Sequence, residues 1–119
     1  MANELTYQFQ TLLNNGSLSD SFASNSQSVD QASAFLIRNV QTIGFAADEA
    51  IQLGDVTTPG YAVFQNLDDT NYVEIGVGSF TAFMKLKPGE LAICRLSTTA
   101  PRAQANTADV DLFYIIYSD

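Results

Sequence analysis

Carboxylates dominate the side chains that could do chemistry. Thirteen Asp and Glu stand against five Lys and Arg, a formal net charge of −8, and the 119 residues contain no histidine. Without an imidazole, Ser-His-Asp and Cys-His nucleophiles and histidine-rich metal sites are excluded. What remains is a carboxylate dyad of the kind that hydrolyses glycosides, or an all-oxygen calcium site. The candidates are Asp68 beside Asp69, Asp109 with Asp111, and the single carboxylates Glu74, Glu90 and Asp119. Asp68 and Asp69 stand in Leu67-Asp68-Asp69-Thr70-Asn71, where aspartate bonds its own backbone to make a turn. Asp109 and Asp111, two residues apart, point to one side of a strand start, a place that either attracts a cation or is simply solvated. Gly60, Gly76 and Gly78 make no phosphate cradle, because no helix follows to present its N-terminus. The lone Cys94 forms no intrachain disulfide and reads as a small core residue, compatible with assembly in a reducing cytoplasm. No catalytic, cofactor or metal constellation emerges, and a non-enzyme is expected.

The charge balance argues against a nucleic-acid partner, since an acidic surface repels phosphate. No apolar run approaches the roughly 20 residues that span a bilayer, so no membrane partner is expected. Met1–Glu4 lacks a basic region and Leu5–Leu13 is broken by Gln8, Gln10 and Thr11, so no cleavable leader is expected either. Without one, the sequon Asn15-Gly16-Ser17 carries little weight. Eight Phe and five Tyr are present without Trp. Tyr61, Tyr72, Tyr114 and Tyr117 are candidate stacking platforms for a sugar, although strand packing accounts for such rings equally well.

The elements that would position these residues are strands. From Gly60 to Arg95 apolar runs and turn signals alternate: Tyr61–Asn66, Tyr72–Val77, Phe80–Leu86 and Leu91–Leu96. Lys87-Pro88-Gly89-Glu90 reads as a type II turn, with proline presetting the first central φ and glycine accepting the positive second one. Outside this block, Leu5–Leu13, Ala34–Ile43, Glu49–Leu53, Ala103–Asn106 and Val110–Tyr117 complete about nine strands. That spacing predicts an all-β, antiparallel β-sandwich, jelly-roll-like in form. An immunoglobulin-like sandwich is the alternative, though the Trp and cysteine pair of that fold are missing. The expected core is Phe64, Val73, Ile75, Val77, Met84, Leu86, Ile93, Leu112, Phe113 and Ile115. In Val110–Tyr117 both faces read as covered.

The composition breaks at Ser33. Residues 1–33 form an N-terminal strand and a polar segment, Ser17–Ser33, read as a surface excursion or a pair of weak strands. Residues 34–119 form the sandwich body of a single domain. The sparse anchors Tyr7, Phe9, Leu12 and Phe22 are the candidate interaction residues, on an arm that orders against neighbouring subunits.

The block GYAVFQNLDDTNYVEIGV, followed by KLKPGELAICRL and a small-residue strand, resembles a family of short virion proteins of tailed bacteriophages. The similarity covers Gly60–Ala105 and lies in a Gly-initiated strand, an Asn-Leu-Asp turn, Thr-Asn, a Val-x-Ile-Gly strand and a Leu-x-Pro-Gly-Glu turn. It implies a capsid decoration or cement protein that binds the outside of the head and stabilises it. The implied partner is the major capsid protein, and the location is the capsid surface after synthesis in the host cytoplasm. The residue count of apolar and aromatic side chains, high for one small sandwich, adds the expectation of a homo-oligomer, a trimer at a site where shell subunits meet. The alternative reading is a tail, fibre or baseplate module that binds host-surface glycan.

Overall fold

The computed structural model describes residues 3–119. The regular elements among them are all β-strands: β1 (Leu5–Tyr7), β2 (Gln10–Asn15), β3 (Leu18–Ala23), β4 (Gln27–Val29), β5 (Leu36–Ile43), β6 (Glu49–Ala50), β7 (Pro59–Asn66), β8 (Val73–Val77), β9 (Thr81–Leu86), β10 (Leu91–Arg95), β11 (Arg102–Ala105) and β12 (Val110–Ser118). The chain divides into two units, Met1–Ala32 and Ser33–Asp119.

The first unit is one hairpin. β2 pairs antiparallel with β3, and further from the turn β1 pairs with β4. The stretch Leu5–Leu13, expected as one strand, is interrupted at Gln8-Phe9, where the Phe9 amide donates to Ser24 Oγ at 2.8 Å and the Ser24 amide donates to the Phe9 carbonyl at 2.9 Å. Serine thus carries the connection across the break, and the polar Ser17–Ser33 segment contributes β3 and β4. Asn15 stands opposite Leu18, so the loop is Gly16-Ser17, and Gly16 has φ 61°. A two-residue hairpin loop needs a positive φ at its first central position to match the strand twist, and glycine supplies it. Asn-Gly is a common hairpin-loop pair, but here Asn15 ends the strand instead of sitting in the loop.

The second unit holds two four-stranded antiparallel sheets, β10-β7-β12-β5 and β6-β11-β8-β9. Their pairing is nested: β8 with β9 innermost, then β7 with β10, β6 with β11, and β5 with β12 outermost. The inner faces meet in one apolar cluster built from Ala62 and Phe64 of β7, Val73 and Ile75 of β8, Ala103 and Ala105 of β11, and Val110, Leu112, Tyr114 and Ile116 of β12. Period-two alternation puts these residues on the dry side of their strands, which makes the unit a β-sandwich. The expected type II turn is present: the Glu90 amide donates to the Lys87 carbonyl at 3.0 Å, Gly89 has φ 80°, and Glu90 Oε1 accepts from the Lys87 amide.

A polar network crosses the core. The Tyr114 hydroxyl donates to the Gln52 carbonyl at 2.7 Å, lies 3.1 Å from Gln41 Oε1, and accepts from Asn39 Nδ2. Gln41 Oε1 also accepts from the Gln52 amide, while its Nε2 donates to Glu49 Oε1 and the Ala50 carbonyl. Glu49 Oε2 in turn accepts from the Gly44 amide. This network ties β6 and the residues after it to the inner face of β5 and β12. Burial raises the Tyr114 phenol above its ordinary pKa. A second buried anchor, Asn66, donates to the carbonyls of Asn71 and Leu86 and accepts from the Asp68 amide.

Three expectations are corrected. Ile93 and Phe113 lie on the outer face of their sheet, because their strand neighbours Ala92, Cys94, Leu112 and Tyr114 hold the inner positions. Ile115 is also on that outer side, yet buried, because strands flank it on both sides. The strand expected over Phe80–Leu86 begins only at Thr81, and its register against β8 shifts between Ile75 and Gly76. Phe80 precedes β9 with φ 91°, and its ring lies where a Cβ on Gly76 would come within 2.7 Å of it. Glycine is required there by close approach.

Candidate interaction surface

The outer faces of the two sheets differ in chemistry. On β6-β11-β8-β9 the central outward positions are polar: Glu74 lies between Lys85 of β9 and Gln104 of β11, with Arg102 one step along, and Phe83 of β9 is the large apolar side chain exposed at the edge strand. That is the wet face usual for an antiparallel sheet. On β10-β7-β12-β5 the register aligns Leu91, Gln65, Phe113 and Val40 in one row across four strands, and Ile93, Val63, Ile115 and Arg38 in the next. A further row holds Arg95 opposite Tyr61, and Tyr117 opposite Leu36. Leu36, Val40 and Leu91 remain 55%, 50% and 64% exposed. Most of these outward positions are apolar, where an ordinary surface would alternate to polar side chains.

The cations on this face lie over rings. The Arg38 guanidinium is 5.8 Å from the centroid of Phe113, and that of Arg95 is 4.7 Å from Tyr61. Arg95 also pairs with Asp119 at 2.7 Å. No ion pair involves Arg38 among the described residues. Near one end of the sheets Val77, Phe83, Arg95, Leu96, Ser97 and Thr98 line a cleft of about 380 Å³. Its one charged side chain is already paired, which suits contact more than acid–base chemistry.

The residues singled out in the N-terminal unit separate. Phe9 and Phe22 come together, with ring centroids 5.9 Å apart. Phe22 shares its face of the hairpin with Leu13 and Leu18, because Thr11 stands opposite Phe22, Leu13 opposite Asp20 and Asn15 opposite Leu18. Leu12 stands opposite Ser21 and points the other way. Tyr7, half-buried in β1, lies in the β1–β4 ladder opposite Gln27. The hairpin therefore has a strip of Phe9, Leu13, Leu18 and Phe22, and Asp20 is the one charge on it. Sequence reasoning missed Leu13 and Leu18 because the turn position, which sets the cross-strand register, decides which residues share a face.

Three of the carboxylates singled out in the sequence, Asp68, Asp69 and Asp111, accept hydrogen bonds from neighbouring backbone and hydroxyl groups. Asp68 Oδ2 accepts from the amides of Thr70 at 3.0 Å and Asn71 at 2.6 Å, and these backbone bonds hold its carboxyl below the ordinary aspartate value. Asp69 accepts from the Thr70 hydroxyl, and Asp111 from the Thr42 hydroxyl at 2.8 Å. Among the described residues no cluster of three or more acidic, Cys or His side chains is spaced to hold a metal ion, and no helix is long and apolar enough to cross a membrane. Of the four tyrosines considered as sugar platforms, Tyr114 is buried and bonded within the core. Lys85 covers Tyr72 at 4.4 Å, as Arg95 covers Tyr61. Cys94 is half-buried on the inner side of β10, and burial pushes its thiol up.

Compared with protein-family models, curated proteins and solved structures, the chain finds no match.

Proposed function

We propose that this chain is a structural virion protein of a tailed bacteriophage, a capsid decoration or cement protein that binds the outside of the head through the major capsid protein. The observation that carries an assembly role is the apolar outer face of β10-β7-β12-β5, against the polar outer face of the other sheet. Contiguous exposed apolar surface of this kind marks protein contact, since leaving it in water is costly. The particle itself is suggested by the resemblance of Gly60–Ala105, a stretch that runs from β7 to β11.

In this reading the body is a jelly roll. Support comes from the nested pairing of its eight strands, in which first pairs with last and so on inward across two sheets, as in a long hairpin rolled into a sandwich. The protein has no enzymatic role, works as a homotrimer, and resides on the capsid surface after synthesis in the host cytoplasm. The unit Met1–Ala32, with its hairpin of β1 to β4, is the arm that contacts neighbouring subunits. Quantifying the protein in purified particles by stained gel tests the proposal. Hundreds of copies in fixed ratio to the shell subunit are expected, whereas a handful would place it in the tail and overturn the decoration role.

A further inference from the structure

We propose that the apolar outer face of β10-β7-β12-β5 receives the hairpin arm of a second copy, with Asp20 of the arm meeting Arg38 of the face. The inference builds on the homo-oligomer reading above and names the occupant of that surface.

On the hairpin Phe9, Leu13, Leu18 and Phe22 are 46%, 43%, 58% and 52% exposed, while Leu36, Val40, Leu91 and Ile93 are open on the sheet. A two-stranded ribbon with one apolar face is marginal in water on its own and gains stability by laying that face on another layer. A flat sheet face four strands wide, roughly 14 Å across at the usual strand spacing, accommodates such a ribbon as a third layer.

Charge selects the pairing. Residues 3–32 contain Glu4, Asp20 and Asp30 and no Lys or Arg. The receiving face holds two of the five basic residues of the chain, Arg38 and Arg95. Arg95 is matched by Asp119, and Arg38 has no carboxylate partner among the described residues. Asp20 is the sole charge on the apolar strip of the arm. Face-to-face docking of two identical sheets would instead bring arginines together in an acidic protein. An arm passed from each copy to the face of the next is a heterologous contact, which closes into a ring such as a trimer.

The test is sedimentation velocity of the full chain over a dilution series, with Asp20→Arg, Arg38→Glu and the double variant. Both side chains are exposed, so circular dichroism should show each variant folded. Wild type is expected to form an oligomer that dissociates on dilution. Each single reversal should weaken association at least about tenfold, because it sets like charges against each other in a desolvated contact. The double variant should recover it. A wild-type chain that stays monomeric at every concentration, single reversals without effect, or a double variant no better than the singles would each overturn the proposal. Co-sedimentation with particles is read separately. An oligomer that ignores particles refutes the decoration role alone, and a monomer that coats them refutes the arm exchange alone.

Discussion

Replacing Tyr114 with phenylalanine removes one oxygen from the centre of the polar network and leaves the ring, packed against Phe64 at 6.4 Å, in place. The Gln52 carbonyl loses its hydroxyl donor at 2.7 Å, and Asn39 Nδ2 loses its acceptor. Gln41 Oε1 keeps the Gln52 amide at 3.0 Å, so the damage stays local. One lost hydrogen bond plus a partly buried carbonyl left without a donor costs about 1–2 kcal/mol. For a body the size of Ser33–Asp119 each kcal/mol lowers Tm by roughly 4–8 °C, so a fall of roughly 5–15 °C is expected in thermal melts followed by circular dichroism. Tyr117→Phe on the outer face is the control and should change stability by less than about 0.5 kcal/mol. Alkaline pH supplies a second arm. The Tyr114 pKa is raised in the folded state, so its contribution is present below the unfolded value, about 10, and is lost as pH rises through the folded value. The difference between wild type and Tyr114→Phe should therefore shrink in that range. A Tyr114→Phe melt matching the control, or a difference that widens with alkali, would refute the role assigned to the network.

Three further outcomes follow from the same geometry. Ile75→Ala, at a position with no exposure, should cost roughly 2–5 kcal/mol through lost transfer energy and a residual cavity, read from the urea midpoint. The Asp68 carboxyl, depressed by the amides of Asn71 and Thr70, stabilises the turn above its unfolded pKa and ceases to as pH falls through the folded one. Wild type should thus lose its advantage over Asp68→Ala on acidification; an advantage independent of acid pH would show that the turn does not use the charge. Deleting Met1–Ala32 should leave the body folded with the melt of wild type at a dilution where it is dissociated, whereas a deletion that also removes Ser33 should destabilise it. The Ser33 carbonyl accepts from the Ser118 hydroxyl, and the Ser33 amide donates to the Asp119 carbonyl at 3.2 Å.

The strands of the body were legible because each carries its own signal. Val73 and Ile75 alternate with polar or small residues, Val110–Tyr117 is a continuous apolar run, and Pro88-Gly89 fits one turn type. What the sequence does not expose is which side of a strand faces inward when both sides are apolar. Phe113 and Ile93 look as core-like as Leu112, and only pairing to β7 and β10 sends them outward. The arm shows the same limit. Its anchors read as Tyr7, Phe9, Leu12 and Phe22, but the apolar strip depends on the register fixed at Gly16-Ser17, which exchanges Leu12 for Leu13 and adds Leu18. The register shift beside Gly76 lies where the Phe80 ring closes on that glycine, a contact that the alternation of β8 does not show.

The central claim, that the apolar outer sheet face is an assembly surface of a particle, is tested most directly by Ile93→Glu. Ile93 is exposed and outside the core cluster, so at a dilution where wild type is dissociated the variant should keep the wild-type melt. Particles assembled or coated with it should lose the protein from their stained-gel profile, while wild type binds in fixed ratio to the shell subunit. A variant that coats particles as fully as wild type would contradict the claim.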